Sequence, residues 1–324
     1  MTFVPGYAGY FEDGILEERV LRLREMLRNC TLCGHRCGVN RLEGELGRCG
    51  AGGGLEVSSS CVHRGEEPVL TGDAGVGNVF LERCNLSCVY CQNHTISQPS
   101  ECSRPGRRMS AEDLSDVLLD FQGRGCPTAG FVSPTHFAPQ IMEAVMVAAS
   151  RGFRLPIIYN TGGYDSIELL RELEGLVDIY LPDFKYWESD CSEKYSGAPD
   201  YPRVAMSALK EMQRQVGNLR MAPSGAARRG LLVRLLVLPG GISGTEDVLR
   251  FIAEKLGTDV FISLMSQYYP AHNAACFPPL DRSLAPEEYS RAVEVMEELG
   301  FENGWIQDPV TSPDSYRPGV DFDL

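Results

Sequence analysis

The sequence predicts an α/β fold: a partial barrel of six strand–helix units, (βα)6, preceded by a cysteine-rich metal-binding segment. Three observations predict it. Short apolar, strand-like runs alternate six times with segments of helical period, the pattern of a parallel sheet with helical crossovers. Each run ends in a polar turn rich in Gly, Pro, Ser or Asp, and in α/β barrels the turns after the strands build the site. Among the 12 cysteines of the 324-residue chain, Cys30, Cys33, Cys37 and Cys49 form one tight group and Cys84, Cys88 and Cys91 another.

Taken in order, residues 1–74 form the cysteine-rich segment. Leu16, Val20, Leu23 and Leu27 fall at helical spacing, and the helix runs into Cys30-x2-Cys33-x3-Cys37, with Cys49 following. Gly34, Gly38, Gly44 and Gly47 permit the tight turns that metal loops need. Leu55–Ser60 reads as a strand, Cys61 as a packed thiol and His63 as an ion-pair or hydrogen-bond partner rather than a ligand. Residues 75–270 carry the barrel. Its strands are expected at Val79–Glu82, Thr128–Ser133, Leu155–Asn160, Val177–Leu181, Leu231–Leu238 and Asp259–Leu264. Ser110 caps the helix bearing Leu114, Val117, Leu118 and Phe121. Ala198–Val216 reads as a longer helical excursion. Residues 271–324 form a C-terminal extension with a helix over Glu287–Leu299, expected to close the barrel's open side or meet a partner, and a polar tail from Ser312 expected to be mobile.

Lys and Arg number 30 against 44 Asp and Glu, a formal charge of −14. That balance makes nucleic acid an unexpected partner, because it lacks a broad basic face. Without a secretory leader or a spanning apolar run, and with clustered rather than scattered cysteines, the expected setting is the reducing cytoplasm, with no membrane.

Cys84-x3-Cys88-x2-Cys91 places three thiolates on one loop, enough for three corners of an iron–sulfur cube. With no fourth cysteine, one iron stays open to a small molecule, as in open catalytic metal sites. A zinc knuckle with a remote ligand, or three buried thiols, is the alternative. Four cysteines within twenty residues of the N-terminal segment suit a closed tetrathiolate site, either structural zinc or an auxiliary iron–sulfur cluster.

The cysteine loop, with Tyr90 before its last Cys, resembles that of the radical S-adenosylmethionine (SAM) superfamily. The resemblance implies a 4Fe–4S cluster on Cys84, Cys88 and Cys91, SAM on the open iron, and an external electron donor such as flavodoxin or ferredoxin. It further implies reductive cleavage of SAM to a 5′-deoxyadenosyl radical that takes hydrogen from a substrate. Gly65–Pro68, Ser133–Phe137, Leu181–Tyr186 and Leu264–Tyr268 make the chain similar to pyruvate formate-lyase activating enzymes, which implies a glycine of a glycyl-radical protein as substrate. Modification of a small molecule, peptide or RNA is the alternative within enzymes. A non-catalytic metal-thiolate or redox-sensing protein is the alternative outside them. Carried over by motif, Asn160, Asp183 and Lys185 fall beside the SAM carboxylate, and Asn160 stands where the family has a carboxylate for a monovalent cation. Arg234 matches a strand Arg that meets SAM, Gly240-x-Ile242 resembles a turn framing adenine, and Ser133, Thr135 and His136 stand where the family has the Gly-Gly-Glu, absent here, that receives the SAM amine. No side chain is assigned as catalytic, because the cofactor does the hard chemistry.

Overall fold

The computed structural model describes residues 3–98 and 106–308, so the expected tail from Ser312 lies outside the described residues. In chain order, helices α1 (Gly6–Glu12) and α2 (Ile15–Glu25) lead to strand β1 (Leu55–His63). A short α3 (Pro68–Thr71) precedes β2 (Val76–Leu81), and α4 (His94–Ser97) follows the second cysteine loop. Next come β3 (Arg107–Met109), α5 (Ala111–Gly123), β4 (Ala129–Val132), α6 (Ala138–Ser150), β5 (Ile157–Thr161), α7 (Ile167–Glu172) and β6 (Ile179–Pro182). Then α8 (Ser189–Ser196), α9 (Tyr201–Val216) and β7 (Arg220–Met221) lead to β8 (Ala227–Leu236), α10 (Thr245–Lys255), β9 (Phe261–Met265), α11 (Pro286–Glu298) and β10 (Gly304–Ile306). Among the described residues no helix is long and apolar enough to cross a membrane.

The strands form one sheet in the order β10-β9-β8-β6-β5-β4-β2-β1-β3, with β7 paired to β8 off that path. From β2 to β10 along this order every neighbouring pair is parallel. The six expected strands are β2, β4, β5, β6, β8 and β9. The strand expected at Leu55–Ser60 is β1, antiparallel at the other edge; the structure adds β3 beside it, the two-residue β7, and β10, whose three residues are too few to show a period in sequence. The sheet curls around a cavity. Phe80 of β2, Val132 of β4, Asn160 of β5, Asp183 just past β6, Arg234 of β8, Ser263 of β9 and Trp305 of β10 all lie on its wall.

Local sequence explains the helices. Ser110 caps α5 reciprocally with Asp113, the Asp113 N–H donating to the Ser110 hydroxyl at 3.1 Å and the Ser110 N–H to the Asp113 carboxylate at 2.9 Å. The helix expected over Ala198–Val216 is α9, with Pro202 suited to its first turn; α8, which precedes it, ends where Gly197 adopts φ 64°.

No structural break separates residues 1–74 from the barrel. β1 pairs with β2, α2 packs against α6, and one apolar core runs from Tyr7 to Phe301. The segment could not build a core alone, so it shares the barrel's. Buried Asp178 completes the join: its carboxylate accepts the Gly6 N–H at 3.1 Å and the Ile157 N–H at 3.0 Å. Burial nonetheless pushes this carboxyl up to about 7, against the pull of those donors. A raised carboxyl holds its proton more tightly folded than unfolded. Its stabilising contribution is complete below the unfolded value of roughly 4 and is lost as pH rises through about 7. Between those limits the wild type should lose roughly 2–4 kcal/mol relative to Asp178→Asn, which cannot titrate. Urea unfolding at each pH reads the difference, and a constant difference across the window contradicts it.

Candidate active site

The second cysteine loop leaves β2 and is held from three sides. Arg83, at φ 68°, turns the chain, and its N–H donates to the Ile96 carbonyl at 2.7 Å. The Ser87 and Val89 N–H groups donate to the Ser196 and Tyr195 carbonyls at 3.1 and 2.9 Å, so the end of α8 props the loop. The Asn85 side chain donates to the Tyr164 carbonyl at 3.2 Å.

Cys84, Cys88 and Cys91 line the cavity, and each thiol has a serine hydroxyl beside it. The Ser196 hydroxyl donates to Cys88 at 2.9 Å, Ser97 lies 3.2 Å from Cys91, and Ser133 hydrogen-bonds Cys84. Ser133 reaches it with φ at 54°, a left-handed conformation unusual for a residue other than glycine. Backbone donors add to this: the Leu86 N–H points at Cys84 from 3.4 Å, and that of Asn93 at Cys91. Burial pushes the Cys84 thiol up to about 12 and the Cys91 thiol up to about 11, each pushed further by its neighbouring sulfur. Cys88 is raised by burial too, against the Lys185 charge and the Ser196 hydroxyl. Ionised thiolates are not self-sufficient here; they call for a cation or metal.

The cavity measures about 710 Å³, inside the roughly 300–1,000 Å³ of sites that enclose small ligands. Of the residues singled out in the sequence, Tyr90, Asn160, Asp183, Lys185 and Arg234 lie on its wall with the three cysteines. The Lys185 ammonium donates to Asp183 at 2.6 Å. Burial alone would lower Lys185, but Asp183 and the Cys88 sulfur outweigh it, and the ammonium is held above its ordinary value. Tyr90 presents its ring edge-to-face to Tyr186 and Tyr268, with centroids 6.5 and 5.9 Å apart.

The structure does not bring Thr135, Gly240 or Ile242 to this wall. Thr135 is buried and donates to Asp165 at 2.8 Å, in a network with Thr161 and Tyr159 that braces β5. The Gly240 N–H donates to Glu288 of α11 at 2.6 Å, and Ile242 is part of the apolar core. His136 is likewise buried, its Nε2 2.8 Å from the Glu82 carbonyl, and burial brings it down to about 3. Arg234 meets two acids on that wall, its guanidinium 3.4 Å from Glu66 and 3.3 Å from Glu67, and its Nε has no hydrogen-bond partner among the described residues.

Sequence reasoning missed Ser97 and this acidic pair as wall residues, and Ser196 as the buried donor to Cys88. The adjacent acids before Pro68 were a visible signal, but their burial depends on the long-range partner Arg234.

Cys30, Cys33, Cys37 and Cys49 gather in one place, close enough that the other three sulfurs all push Cys33 up in addition to its burial. Each has a donor: Arg41 for Cys30 at 3.9 Å, the Arg48 N–H for Cys37 at 3.3 Å, and the His35 and Ala51 N–H groups for Cys33 and Cys49. This group adjoins the second loop, with His35 Nε2 2.8 Å from the Asn85 carbonyl. Among the described residues no three Cys, His, Asp or Glu side chains converge on a single ion. A cube does not require that, because each thiolate takes its own iron.

A parallel sheet curled around a cavity, with three cysteines after its first parallel strand, is a framework for a cysteine-held cluster. Residues 78–221 match the model of the radical SAM superfamily. Two uncharacterized proteins of Methanocaldococcus jannaschii are similar in sequence. One is 28% identical over 90% of this chain and 81% of its own length, the other 25% identical over 70% and 65%. Among solved structures, HydG, a maturase of the FeFe-hydrogenase, has a TM-score of 0.48 at 12% identity, covering 94% of this chain and 67% of that one. Methylornithine synthase (PylB) has a TM-score of 0.45 at 12% identity, covering 88% and 69%.

Arg41 is the test of how the N-terminal cysteines are seated. Only 2% exposed, it donates to the Gly52 carbonyl at 2.7 Å and to the His136 carbonyl at 2.7 Å, and stacks over Phe137. Arg41→Ala strands both carbonyls and leaves a void, so it should destabilise the fold by about 2–5 kcal/mol. A shift of the urea midpoint equivalent to less than about 1 kcal/mol contradicts this role.

Proposed function

We propose that this chain is a radical SAM enzyme whose Cys84, Cys88 and Cys91 hold a 4Fe–4S cluster and whose cavity holds SAM and a substrate. The observation that carries the reading is the set of three thiols, Cys88 buried and Cys84 and Cys91 half-buried, each given a hydroxyl donor from a different element, at the edge of a cavity large enough for a small-molecule cofactor. When bound, the cluster and SAM would supply the electron and the 5′-deoxyadenosyl radical that takes a hydrogen atom from the substrate.

The chain's own contribution is orientation and a water-poor wall. Ser97, Ser133 and Ser196 would donate to the cluster thiolates, and hydrogen bonds to cluster sulfurs are one control of reduction potential. Lys185 would offset their negative charge. Tyr90, Asn160, Asp183 and Lys185, which line the cavity, would hold SAM, with Asn160 unable to supply the charge a cation site would need. Flavodoxin or ferredoxin is the proposed class of electron donor. Two substrate classes follow from the activating-enzyme likeness and from its alternative: a glycine of a glycyl-radical protein, or a small molecule. The ionic groups deep in the cavity favour the small molecule.

For Cys30, Cys33, Cys37 and Cys49 we propose a second metal site. Four sulfurs gathered together, each with a donor, suit either structural zinc or an auxiliary iron–sulfur cluster.

The experiment is cysteine replacement with anaerobic reconstitution. Cys84→Ala/Cys88→Ala/Cys91→Ala should abolish SAM cleavage and remove about four irons per chain, leaving the metal of the N-terminal site. Continued SAM cleavage by this variant would overturn the assignment of the three cysteines, whereas no SAM cleavage by the reconstituted wild type would favour the redox-sensing alternative. A triple variant holding neither iron nor zinc would remove the second site.

A further inference from the structure

We infer that the end of the cavity opposite the cysteines is a binding subsite for a primary ammonium group of a small-molecule substrate. The inference rests on the cavity being the active site and names the class of molecule it takes.

β1 runs antiparallel to β2 and ends at His63, which pairs with Val76 at the start of β2. The turn that follows therefore delivers Glu66 and Glu67 to the opposite end of the cavity from Cys84, which comes just after the end of β2. Both line the cavity, with side chains only 9% and 6% exposed. Arg234 is the cation in contact with both, His63 and Arg64 of the same turn also line the cavity, and burial pushes the Glu67 carboxyl up against the pull of Arg234. The neutral neighbours are Asn78, whose amide donates to Glu66 at 2.9 Å, and Ser263 beside Glu67.

The acids are not saturated by these partners. One oxygen of Glu66 and one of Glu67, both Oε2, are buried without a hydrogen-bond donor among the described residues. The Arg234 contacts at 3.3 and 3.4 Å are ion contacts not aligned as hydrogen bonds. Leaving a buried carboxylate oxygen without a donor is unfavourable, and a ligand N–H that reaches it removes the penalty.

The chemistry selects the ligand. Two buried carboxylate oxygens without a donor disfavour an anion, which brings only acceptors. Among the described residues no three acids, histidines or cysteines converge here as a divalent cation would need. An ammonium is compact and carries three donors and no acceptor. Leu236, Met265 and Trp305 nearby give its methylenes an apolar wall. The rest of the molecule would extend toward the cysteines.

The test uses the full-length protein, reconstituted anaerobically, and three probes of one length: n-butylammonium, n-butanol and butyrate. Binding is read by saturation-transfer nuclear magnetic resonance and calorimetry. Butylammonium should bind at least about tenfold more tightly than butanol, and butyrate should not compete. Glu66→Gln and Glu67→Gln should each weaken butylammonium about tenfold or more, with little change in butanol affinity. Equal binding of butylammonium and butanol overturns the inference, as does unchanged butylammonium affinity in both variants. Should a variant fail to fold, the wild-type ratio of ammonium to alcohol decides. SAM binding is measured on the same wild-type sample. Protein that binds SAM but not butylammonium overturns the subsite alone, whereas protein that binds no SAM overturns the radical SAM reading and leaves the ammonium result standing.

Discussion

Placing three thiols in a low-dielectric interior is the constraint on which the rest of this structure turns. Burial drives all three toward the neutral form, and each sulfur makes ionising its neighbours harder. A site that is to hold a metal there needs donors and positive charge already in place. They come from scattered parts of the chain: Ser97 from α4, Ser133 after β4, Ser196 at the end of α8 and Lys185 after β6. The α8–α9 excursion, which looks in sequence like surplus material, is thus the prop and donor for the loop. Its two terminal carbonyls hold the Ser87 and Val89 N–H groups.

The same demand for compensation shapes the cavity as a whole. Its polar groups fall in two sets, Asp183 with Lys185 near the cysteines and Glu66 and Glu67 with Arg234 at the far end. The first is a close pair at 2.6 Å; the second is loosely aligned. Partly buried pairs contribute little net stability once their desolvation is counted. Their place on a cavity wall, rather than within the apolar core, is better explained by what they can hold. The N-terminal cysteines connect to this arrangement through His35 and Asn85, so the two sulfur groups share one hydrogen-bonded frame.

Much of this was legible in the sequence because it is local. Strand–helix alternation located the six central strands, Ser110 and Asp113 announced their helix start, and the spacing of Cys84, Cys88 and Cys91 marked the loop. The turns after the strands placed Asn160, Asp183 and Lys185 correctly on the cavity wall. What was illegible is what depends on contacts distant in sequence. Glu66 and Glu67 look like solvated charges until Arg234, more than 160 residues away, is seen beside them. Thr135 reads as a wall residue until Asp165 claims its hydroxyl, and Gly240 until Glu288 of α11 claims its N–H. β10 has too few residues to carry a periodic signal, and the edge between the N-terminal segment and the barrel vanishes because both share one core.

The central claim is that three protein thiolates leave one iron of a cluster open to SAM. The direct measurement is electron paramagnetic resonance of the reduced wild-type protein, with and without SAM labelled in its carboxylate by a magnetic oxygen isotope. The account predicts a cluster signal that changes when SAM is added and shows hyperfine coupling to the label. A cluster signal indifferent to SAM, or the absence of any cluster signal in fully reconstituted protein, would contradict it.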